Sequence, residues 1–321
     1  MKLGIDIMGG DFAPVATIDG VISAYKELPS DVELVLIGDE DIIKSSLEER
    51  NVPAGNFHIL HAPDVIGMGE KPTKSLALKP NSSIAKGFSA LADNTIDAFA
   101  SAGNTGAMLV GAVLSLGTID NVLRPCITSI LPKENGNIGI LLDVGTNPDC
   151  KPEVLRQFAI IGSIYADLVF NITNPKVGLL NIGEEEEKGN ILCQATFSLL
   201  KETKNINFVG NIEGHHLFTD KCDVVVCDGF TGNVVLKSCE AMYEKIKKRG
   251  LKDPYFDRFN YENYGGTPIL GINASVIIGH GISNSKAIKN MIRLTYNVHR
   301  VKLSSKIQTA FNEFNENKIT E

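Results

Sequence analysis

The stretch Ile96–Ala107, with the sequence IDAFASAGNTGA, contains the pattern on which the whole chain is built. Ile96–Ala100 is a short apolar run that predicts a buried strand, and Thr105–Gly117 predicts the helix that follows it. Between them lies a loop of small polar residues. Short apolar runs rich in Val and Ile alternate with helical patterns in the same way along the rest of the chain. This alternation predicts an α/β fold with a mostly parallel sheet covered by helices on both faces.

The same alternation predicts further strands and helices. The further strands are Lys2–Ile7, Val32–Ile37, Ile138–Leu142, Lys176–Ile182, Ile206–Val209 and Asp223–Cys227. The further helices are Pro14–Glu27, Asp41–Arg50, Ser82–Ala92, Pro152–Asp167, Asn190–Thr203, Asn233–Arg249 and Ser285–Asn315. The last of these is either one long helix or two. No repeat and no linker rich in Pro, Gly or Ser divides the pattern, so we expect residues 1–321 to form one unit. Two lobes around a cleft are compatible with it, but the sequence marks no boundary.

The composition fits a protein with a large core, since the 321 residues are 43% hydrophobic. The six cysteines form no Cys-x-x-Cys pair and no signal peptide is recognised, so we expect reduced thiols in a cytoplasmic protein. The longest apolar run, Ala107–Leu116, is shorter than the about 20 residues that cross a bilayer. A net charge of −7 argues against general nucleic-acid binding. The histidines form no metal-ligand pattern, so no metal is predicted.

Small polar residues cluster directly after the predicted strands, where open α/β sheets bind their ligands. In the loop after Ala100, the candidate donors for a phosphate or carbonyl oxygen are Ser101, Gly103, Asn104 and Thr105. An ordinary Ser/Thr helix cap is the alternative, although two glycines and an Asn exceed what capping requires.

The loop after the first strand contains Asp6, Gly9, Gly10 and Asp11. Paired glycines allow the backbone to approach a ligand closely, and the two acids could orient donors. A tight strand-to-helix turn is the alternative, and it is favoured for this loop taken alone. The glycines do not form the dinucleotide fingerprint, which needs three spaced glycines and a downstream acid.

Two later loops carry further candidates for a ligand cleft. Asp143 and Asn147 follow one strand, and Asp228 and Thr231 follow another, before a helix. A turn stabilised by Asp and Asn explains the first pair equally well. Cys227 ends an apolar run, so a buried small hydrophobe is favoured over a catalytic nucleophile. A Gly-x-Ser-x-Gly elbow is absent, so a serine hydrolase has no direct support.

The strand Lys176–Ile182 leads into four consecutive glutamates, followed by Lys188 and Gly189. A charge run is usually a solvated surface, and without further context a surface ion pair is the favoured role of Lys188. A lysine beside a glycine at the carboxyl end of a strand can instead hold phosphate as a point charge. Both interpretations stay open on this evidence.

Taken together, these loops resemble one family, the phosphate acyltransferases that use acyl-acyl carrier protein. The matching stretches cover nearly the whole chain in order, and as a set they are highly specific. They are Asp6–Pro14, Lys79–Ser83, Ser101–Ala107, Asp143–Ala166, Gly178–Gly189, Gly210–Gly214, Asp223–Lys237, Tyr264–Gly271 and Gly279–Ser283.

The resemblance implies a three-layer α/β/α fold like that of isocitrate and isopropylmalate dehydrogenases and of phosphotransacetylases. It also implies a homodimer without a metal or nucleotide cofactor, in which Lys188 and Asn233 are the reactive pair. The implied substrates are acyl-acyl carrier protein and inorganic phosphate. The acyl phosphate product would pass to a membrane acyltransferase that acylates glycerol 3-phosphate for phospholipid synthesis.

The chain departs from the family pattern at a few positions. Phe12 stands where the family commonly has His, so no proton-transfer role is assigned there, and Thr146 replaces a usual Ala. The segment between Tyr243 and Tyr264 is shorter than in relatives and carries basic and aromatic residues. It is interpreted either as a helix end capped by Gly250 or as a patch that docks acidic carrier protein or anionic lipid. The second interpretation would add a peripheral contact with the inner face of the membrane.

The proposed chemistry is attack of a phosphate oxygen on a thioester carbonyl, for which no protein nucleophile is required. Lys188 would position the phosphate, Asn233 and the Ser101–Thr105 loop would orient the reactants, and Asp143, Asn147 and Asp228 would organise them. One alternative is a coenzyme A-dependent phosphotransacetylase. Another is a non-catalytic regulator that binds carrier protein, and a hydride-transferring dehydrogenase is weakened by the missing fingerprint.

Overall fold

A computed structural model describes residues 1–319, in which strands and helices alternate. The strands are β1 (Lys2–Asp6), β2 (Glu33–Gly38), β3 (His58–His61), β4 (Ala98–Ser101), β5 (Cys126–Pro132), β6 (Ile138–Leu142), β7 (Lys176–Leu180), β8 (Asn207–Ile212), β9 (Val224–Val226), β10 (Thr267–Leu270) and β11 (Ser275–Ile278). The helices are α1 (Val15–Tyr25), α2 (Glu40–Glu48), α3 (Pro72–Leu78), α4 (Ser83–Ala92), α5 (Thr105–Leu116), α6 (Pro152–Phe170), α7 (Ile191–Lys201), α8 (Gly229–Lys248), α9 (Ser285–Arg300) and α10 (Leu303–Ile319). Every predicted strand and helix corresponds to one of these elements.

The sequence pattern did not predict β3, β5, β10, β11 or α3. Strand β3 has a histidine at each end and is only half-buried, so it lacks the apolar run of a central strand. Strands β10 and β11 have four residues each, and β10 contains Pro268. Elements this short show too little periodicity to be recognised, because proline and exposed ends interrupt the apolar pattern.

The chain forms two compact units. Unit 1 consists of Met1–Gly117 and Tyr261–Lys302, and unit 2 consists of Thr118–Asn260 and the chain from Leu303 onward. Helix α9 therefore belongs to unit 1 and α10 to unit 2. The helical conformation is interrupted between them at Lys302, where φ is +54°. The prediction of two helices in this segment, and not one, is therefore confirmed.

Unit 1 contains a sheet in the order β3-β2-β1-β4-β11-β10, parallel except for β10. Helix α4 lies on β1, β2 and β4, where Gly87 leaves room for the ring of Phe99. Because side chains alternate along a strand, Ala98 and Ala100 point to the opposite face of β4. Helix α9 packs on β1, β4 and β11 and against α1.

Unit 2 contains a sheet in the order β5-β6-β9-β7-β8, in which only β5 runs antiparallel to its neighbour. Helix α6 lies on β6, β9 and β7, and its Gly162 faces Leu142 and Val224. Helices α7 and α10 pack against α6, and α8 packs on β6. The predicted α/β fold with a mostly parallel sheet is confirmed.

The start of α8 differs from the prediction, because the helix begins at Gly229 and not at Asn233. The Asp228 carboxylate accepts hydrogen bonds from the Thr231 backbone N–H (2.8 Å) and hydroxyl (2.9 Å), which makes Asp228 the N-cap. Thr231 and Asn233 therefore lie in the first turns of α8 and not in a loop. The glycines at 229 and 232 had indicated a loop, but close packing explains them.

Asp143 connects three segments of unit 2. Its carboxylate is fully buried and accepts hydrogen bonds from the backbone N–H groups of Ile127 (3.2 Å), Thr146 (3.4 Å) and Asn147 (2.6 Å), and from the Asn147 side chain (2.9 Å). A side chain at position 232 of α8 would collide with the Asp143 carbonyl oxygen. Asp143 thus holds the start of β5, its own loop and the start of α8 together.

We expect Asp143→Asn to lower the free energy of unfolding by about 1–3 kcal/mol, because its amide NH₂ would face N–H donors that the carboxylate accepts. Asp228→Asn is the matched control. It should change the free energy of unfolding by less than about 0.5 kcal/mol, since Asn caps a helix as well as Asp. Urea unfolding followed by circular dichroism measures both. Equal unfolding midpoints for the two variants would contradict the role assigned to Asp143.

Candidate active site

Four loops of unit 2 lie at one edge of its sheet. Strands β6, β9 and β7 are parallel neighbours, and β8 is parallel to β7, so their carboxyl ends point the same way. The segments that follow these strands contain the predicted site residues of unit 2. Asp143, Asn147, Lys188 and Asp228 lie in loops, and Thr231 and Asn233 lie in the first two turns of α8. Open α/β sheets bind their ligands at such edges. All six residues therefore lie on segments that follow the carboxyl ends of neighbouring strands of this sheet.

Lys188 is exposed, and its ammonium group has no ion pair within the described residues 1–319. Two of the four preceding glutamates pair with other cations, Glu184 with Lys221 and Glu186 with Lys201 at 2.7 Å, and Glu185 and Glu187 form no ion pair with Lys188 in this part of the chain. The surface ion pair favoured for Lys188 without further context is therefore not formed. An unpaired cation in the loop between β7 and α7 is available to an anionic ligand.

The backbone on either side of Lys188 requires glycine. The stem of Lys188 crosses Gly183, where an added Cβ would lie 2.8 Å from Cγ of the lysine. Gly189 has φ +88°, and a side chain there would overlap the Asn181 side chain and approach Cβ of Cys193 to 2.8 Å. Other residues rarely adopt this conformation and would find no space here. The two glycines thus determine the path of the loop that presents Lys188.

Two helix amino ends lie close to the Lys188 loop. Helix α7 begins at Ile191, three residues after Lys188, and α8 begins at Gly229. Strands β7 and β9, which precede α7 and α8, are parallel neighbours, so both helices begin at the same edge of the sheet. The first N–H groups of a helix lack partners in the helix and favour an anion. This edge of unit 2 is therefore suited to phosphate.

Asn233 is exposed on the second turn of α8. Its side-chain oxygen lies 3.5 Å from the position that a Cβ would take at Gly145, so the amide rests on the Asp143 loop. No side-chain hydrogen bond of Asn233 is found within residues 1–319. Its NH₂ and carbonyl groups are therefore both available to a ligand.

The other predicted site residues of unit 2 are hydrogen-bonded to one another or to the backbone. Asp228 and Thr231 bind each other, and the side chain of Asn147 donates to Asp143 and, at 2.8 Å, to the Pro125 carbonyl. Burial raises the pKa of Asp143, and its hydrogen bonds offset this only in part. These residues organise the edge, and among the predicted site residues of unit 2 the polar groups of Lys188 and Asn233 remain open.

The cysteines near this edge do not have the properties of nucleophiles. Cys227 is buried, donates to the Asp143 carbonyl at 3.7 Å, and has a pKa raised well above its usual range by burial. Burial also raises the pKa of Cys150 to about 11. A reactive cysteine needs a lowered pKa, because the thiolate is the nucleophile.

A second group of predicted residues lies at the carboxyl edge of the unit 1 sheet. Asp6 is fully buried and accepts hydrogen bonds from the Ser101 hydroxyl (2.6 Å) and the Met8 backbone N–H (3.0 Å). The Ser101 oxygen in turn accepts from the Gly103 N–H at 2.9 Å. Burial raises the pKa of Asp6. A side chain at Gly9 would lie 2.5 Å from the Asp6 carboxylate, so this loop packs closely on itself.

Both polar groups of the Asn104 side chain are hydrogen-bonded within the protein. Its side-chain oxygen caps α5 by accepting from the Ala107 N–H, and its NH₂ group donates to the carbonyls of Gly67, Met68 and Glu70 at 3.0–3.1 Å. It is therefore a structural cap and not an open donor. The exposed residue of this loop is Thr105, at the first position of α5.

Gly10 and Asp11 lie against the loop after β11. Gly10 has φ +107°, and the Asp11 backbone N–H donates to the Gly281 carbonyl at 2.8 Å, while the Asp11 side chain is exposed. The sequence pattern did not predict this contact.

The sequence pattern also did not indicate Glu70, whose carboxylate accepts hydrogen bonds from the Lys79 ammonium, the Gly67 backbone N–H and the Ser75 hydroxyl. These hydrogen bonds lower the pKa of Glu70 to about 2. The only sequence signal was Lys79, at the start of a matching stretch.

Neither a metal site nor a membrane span is found within residues 1–319. No group of three or more His, Cys, Asp and Glu side chains in this part of the chain could hold a metal ion. None of its helices combines the length and the apolar character that crossing a bilayer requires.

Known proteins resemble this chain in sequence and in fold. A family model described as "Fatty acid synthesis protein" matches residues 1–306. A phosphate acyltransferase of Dictyoglomus turgidum is 40% identical, over 98% of this chain and 99% of its own. One of Halothermothrix orenii is 44% identical, over 92% and 93%. The EutD phosphotransacetylase from Staphylococcus aureus has the same fold, with a TM-score of 0.63 at 15% identity over 93% of this chain and 94% of its own.

The sequence motifs, the phosphotransacetylase fold and the extent of these matches agree with one another, and the chain belongs to the phosphate acyltransferase family of fatty acid synthesis proteins.

Proposed function

We propose that this protein transfers a fatty acyl group from acyl-acyl carrier protein to inorganic phosphate and so makes acyl phosphate for phospholipid synthesis. The observation that carries the proposal is the unpaired Lys188 ammonium, which lies three residues before α7 in a chain whose relatives are named phosphate acyltransferases. A phosphate dianion fits a lysine point charge beside helix N–H groups.

The reaction needs no covalent enzyme intermediate. A phosphate oxygen attacks the thioester carbonyl carbon, the C–O bond forms, and the electron pair of the breaking C–S bond leaves with the thiolate. Lys188 holds the phosphate, and the NH₂ group of Asn233 donates to the oxyanion that develops on the carbonyl. The thiolate is a good leaving group, so a strong general acid is not required.

The proposed reaction defines the partners. Acyl carrier protein delivers the acyl chain, and a membrane glycerol-3-phosphate acyltransferase consumes the acyl phosphate. The protein is proposed to act in the cytoplasm as a homodimer, with a peripheral contact at the inner face of the membrane, where its product is used.

The end of α8 and the chain after it form a basic segment, residues 245–252, that supports docking of an acidic partner. Lys247 and Arg249 are exposed and have no ion pair in the described part of the chain. The stretch after it is anchored, because Tyr255 donates to the Pro132 carbonyl at 3.1 Å and Arg258 donates to the Lys133 carbonyl at 2.7 Å. Exposed cations on an anchored segment attract an acidic surface. We assign this surface to the carrier protein.

Purified protein incubated with acyl-acyl carrier protein should release thiol and form acyl phosphate only when phosphate is added. Acyl phosphate can be trapped with hydroxylamine and quantified. Acyl-coenzyme A serves as the competing donor, because the phosphotransacetylase fold is compatible with it. A higher rate with acyl-coenzyme A would show that coenzyme A, and not the carrier protein, carries the donated acyl group. If neither donor releases thiol in a phosphate-dependent way, the proposed reaction is wrong and the protein would be a non-catalytic binder of carrier protein.

Lys188→Ala should raise the KM for phosphate and lower kcat, since it removes the charge that holds the dianion. Lys188→Arg should restore activity only in part, because a planar guanidinium replaces a compact ammonium. The fold should change little, as surface substitutions usually alter stability by less than about 0.5 kcal/mol. Lys44→Ala, which removes an exposed lysine of α2, is the control. Normal phosphate kinetics in well-folded Lys188→Ala would exclude Lys188 from the site.

Changing Lys247, Lys248 and Arg249 together to Gln should weaken binding of carrier protein, and the difference from the unchanged protein should shrink as salt rises. Isothermal titration at two salt concentrations measures the affinity. Flotation with anionic liposomes tests the lipid alternative. Unchanged carrier affinity with lost liposome binding would assign the segment to the membrane, and no change in either would leave it as a helix end.

A further inference from the structure

We propose that Asn181, Gln194 and Asn211 form an amide clamp, a set of positioning residues that holds the loop 183–189 so that Lys188 is fixed where phosphate binds. The inference rests on the proposed function, because it concerns the same phosphate site. It assigns to these three side chains a role that neither their position in the sequence nor the family match indicates.

The clamp acts on backbone carbonyl groups. Asn211 donates to the Glu185 carbonyl at 2.8 Å, and Asn181 donates to the Lys188 carbonyl at 3.1 Å. Gln194 donates to the carbonyls of Glu187 (2.6 Å) and Gly189 (3.2 Å). Four of the five carbonyls from 185 to 189 are thus held by amide side chains.

The clamp replaces secondary structure in this loop. Residues 183–189 belong to no helix or strand, and one backbone hydrogen bond, from the Lys188 N–H to the Glu185 carbonyl (3.1 Å), closes a turn. A loop held by so few backbone bonds would sample many conformations, and each would place the Lys188 ammonium differently. The side-chain amides restrict this freedom from three positions, the residue that follows β7, helix α7 and strand β8.

Asn211 shows that the clamp is not explained by stability alone. It is 2% exposed, and its side-chain oxygen is buried with no hydrogen-bond partner. An unsatisfied buried oxygen costs about 1–3 kcal/mol, which roughly cancels the gain from the one bond that its nitrogen makes. A leucine of similar size would avoid that cost. The amide contributes one thing that leucine cannot, a donor to the loop carbonyl.

The ion pairs of the loop also help to keep the Lys188 ammonium unpaired. Lys221 and Lys201 bind Glu184 and Glu186, and His216 lies 3.7 Å from Glu184. With the backbone clamped and these carboxylates turned to other cations, the Lys188 ammonium stays unpaired. A loosened loop would let a glutamate reach Lys188 and compete with phosphate.

The test uses Asn211→Leu and, as matched control, Asn207→Leu. Asn207 lies on the same strand and also donates to a carbonyl, that of Asn174 at 3.1 Å, but at the opposite end of β8. We expect Asn211→Leu to raise the KM for phosphate about five- to tenfold, the effect of losing one ordinary hydrogen bond. The KM for the acyl donor should stay unchanged, and Asn207→Leu should change neither constant.

Two further variants keep the inference falsifiable. Gln194→Leu, at an exposed helix position, should raise the KM for phosphate even if Asn211→Leu does not fold. The double variant Lys188→Ala with Gln194→Leu should be no worse than Lys188→Ala alone, because the clamp acts through Lys188. Additive losses, or unchanged phosphate kinetics in both clamp variants, would overturn the clamp. Unchanged phosphate kinetics in Lys188→Ala itself would instead overturn the phosphate site on which it rests.

Discussion

The buried carboxylate of Asp143 is the constraint on which unit 2 depends. Four N–H hydrogen bonds from Ile127, Thr146 and Asn147 converge on its two oxygens, and α8 approaches it through Gly229 and Gly232. A buried charge is tolerated only when it is hydrogen-bonded, so these segments must come together for the fold to form. Asn233 on α8 lies at the sheet edge because of this packing.

Charge around the loop 183–189 is distributed so that the Lys188 ammonium remains available to a ligand. Four glutamates precede Lys188, yet Glu184 and Glu186 bind lysines from other segments. The amino ends of α7 and α8 add positive potential at the same edge. An anion that reaches this edge meets the unpaired ammonium of Lys188 and the positive ends of two helix dipoles.

The predicted site residues differ in what the structure leaves them free to do. Lys188 and Asn233 have open polar groups. Asn104 and Asp228 are helix caps, Thr231 donates to Asp228, and the buried carboxylates of Asp6 and Asp143 accept hydrogen bonds within the protein. In the sequence all of them are polar residues that follow strands. Their partners lie up to 95 residues away, as for Ser101 and Asp6. No local pattern therefore distinguishes a polar side chain that is free to bind a ligand from one that is already hydrogen-bonded within the protein.

The sequence by itself determined the alternation of strands and helices, the mostly parallel sheet and the position of the polar residues after its strands, because apolar periodicity is a local property of the chain. Only the tertiary structure decided where α8 begins, where β3, β5, β10 and β11 add to the sheets, and which amides hold the Lys188 loop. These features depend on hydrogen bonds and close contacts between distant segments. Position 189 illustrates the difference, since glycine is needed there for a φ of +88° and for the space taken by Asn181, directly after β7, and by Cys193 in α7.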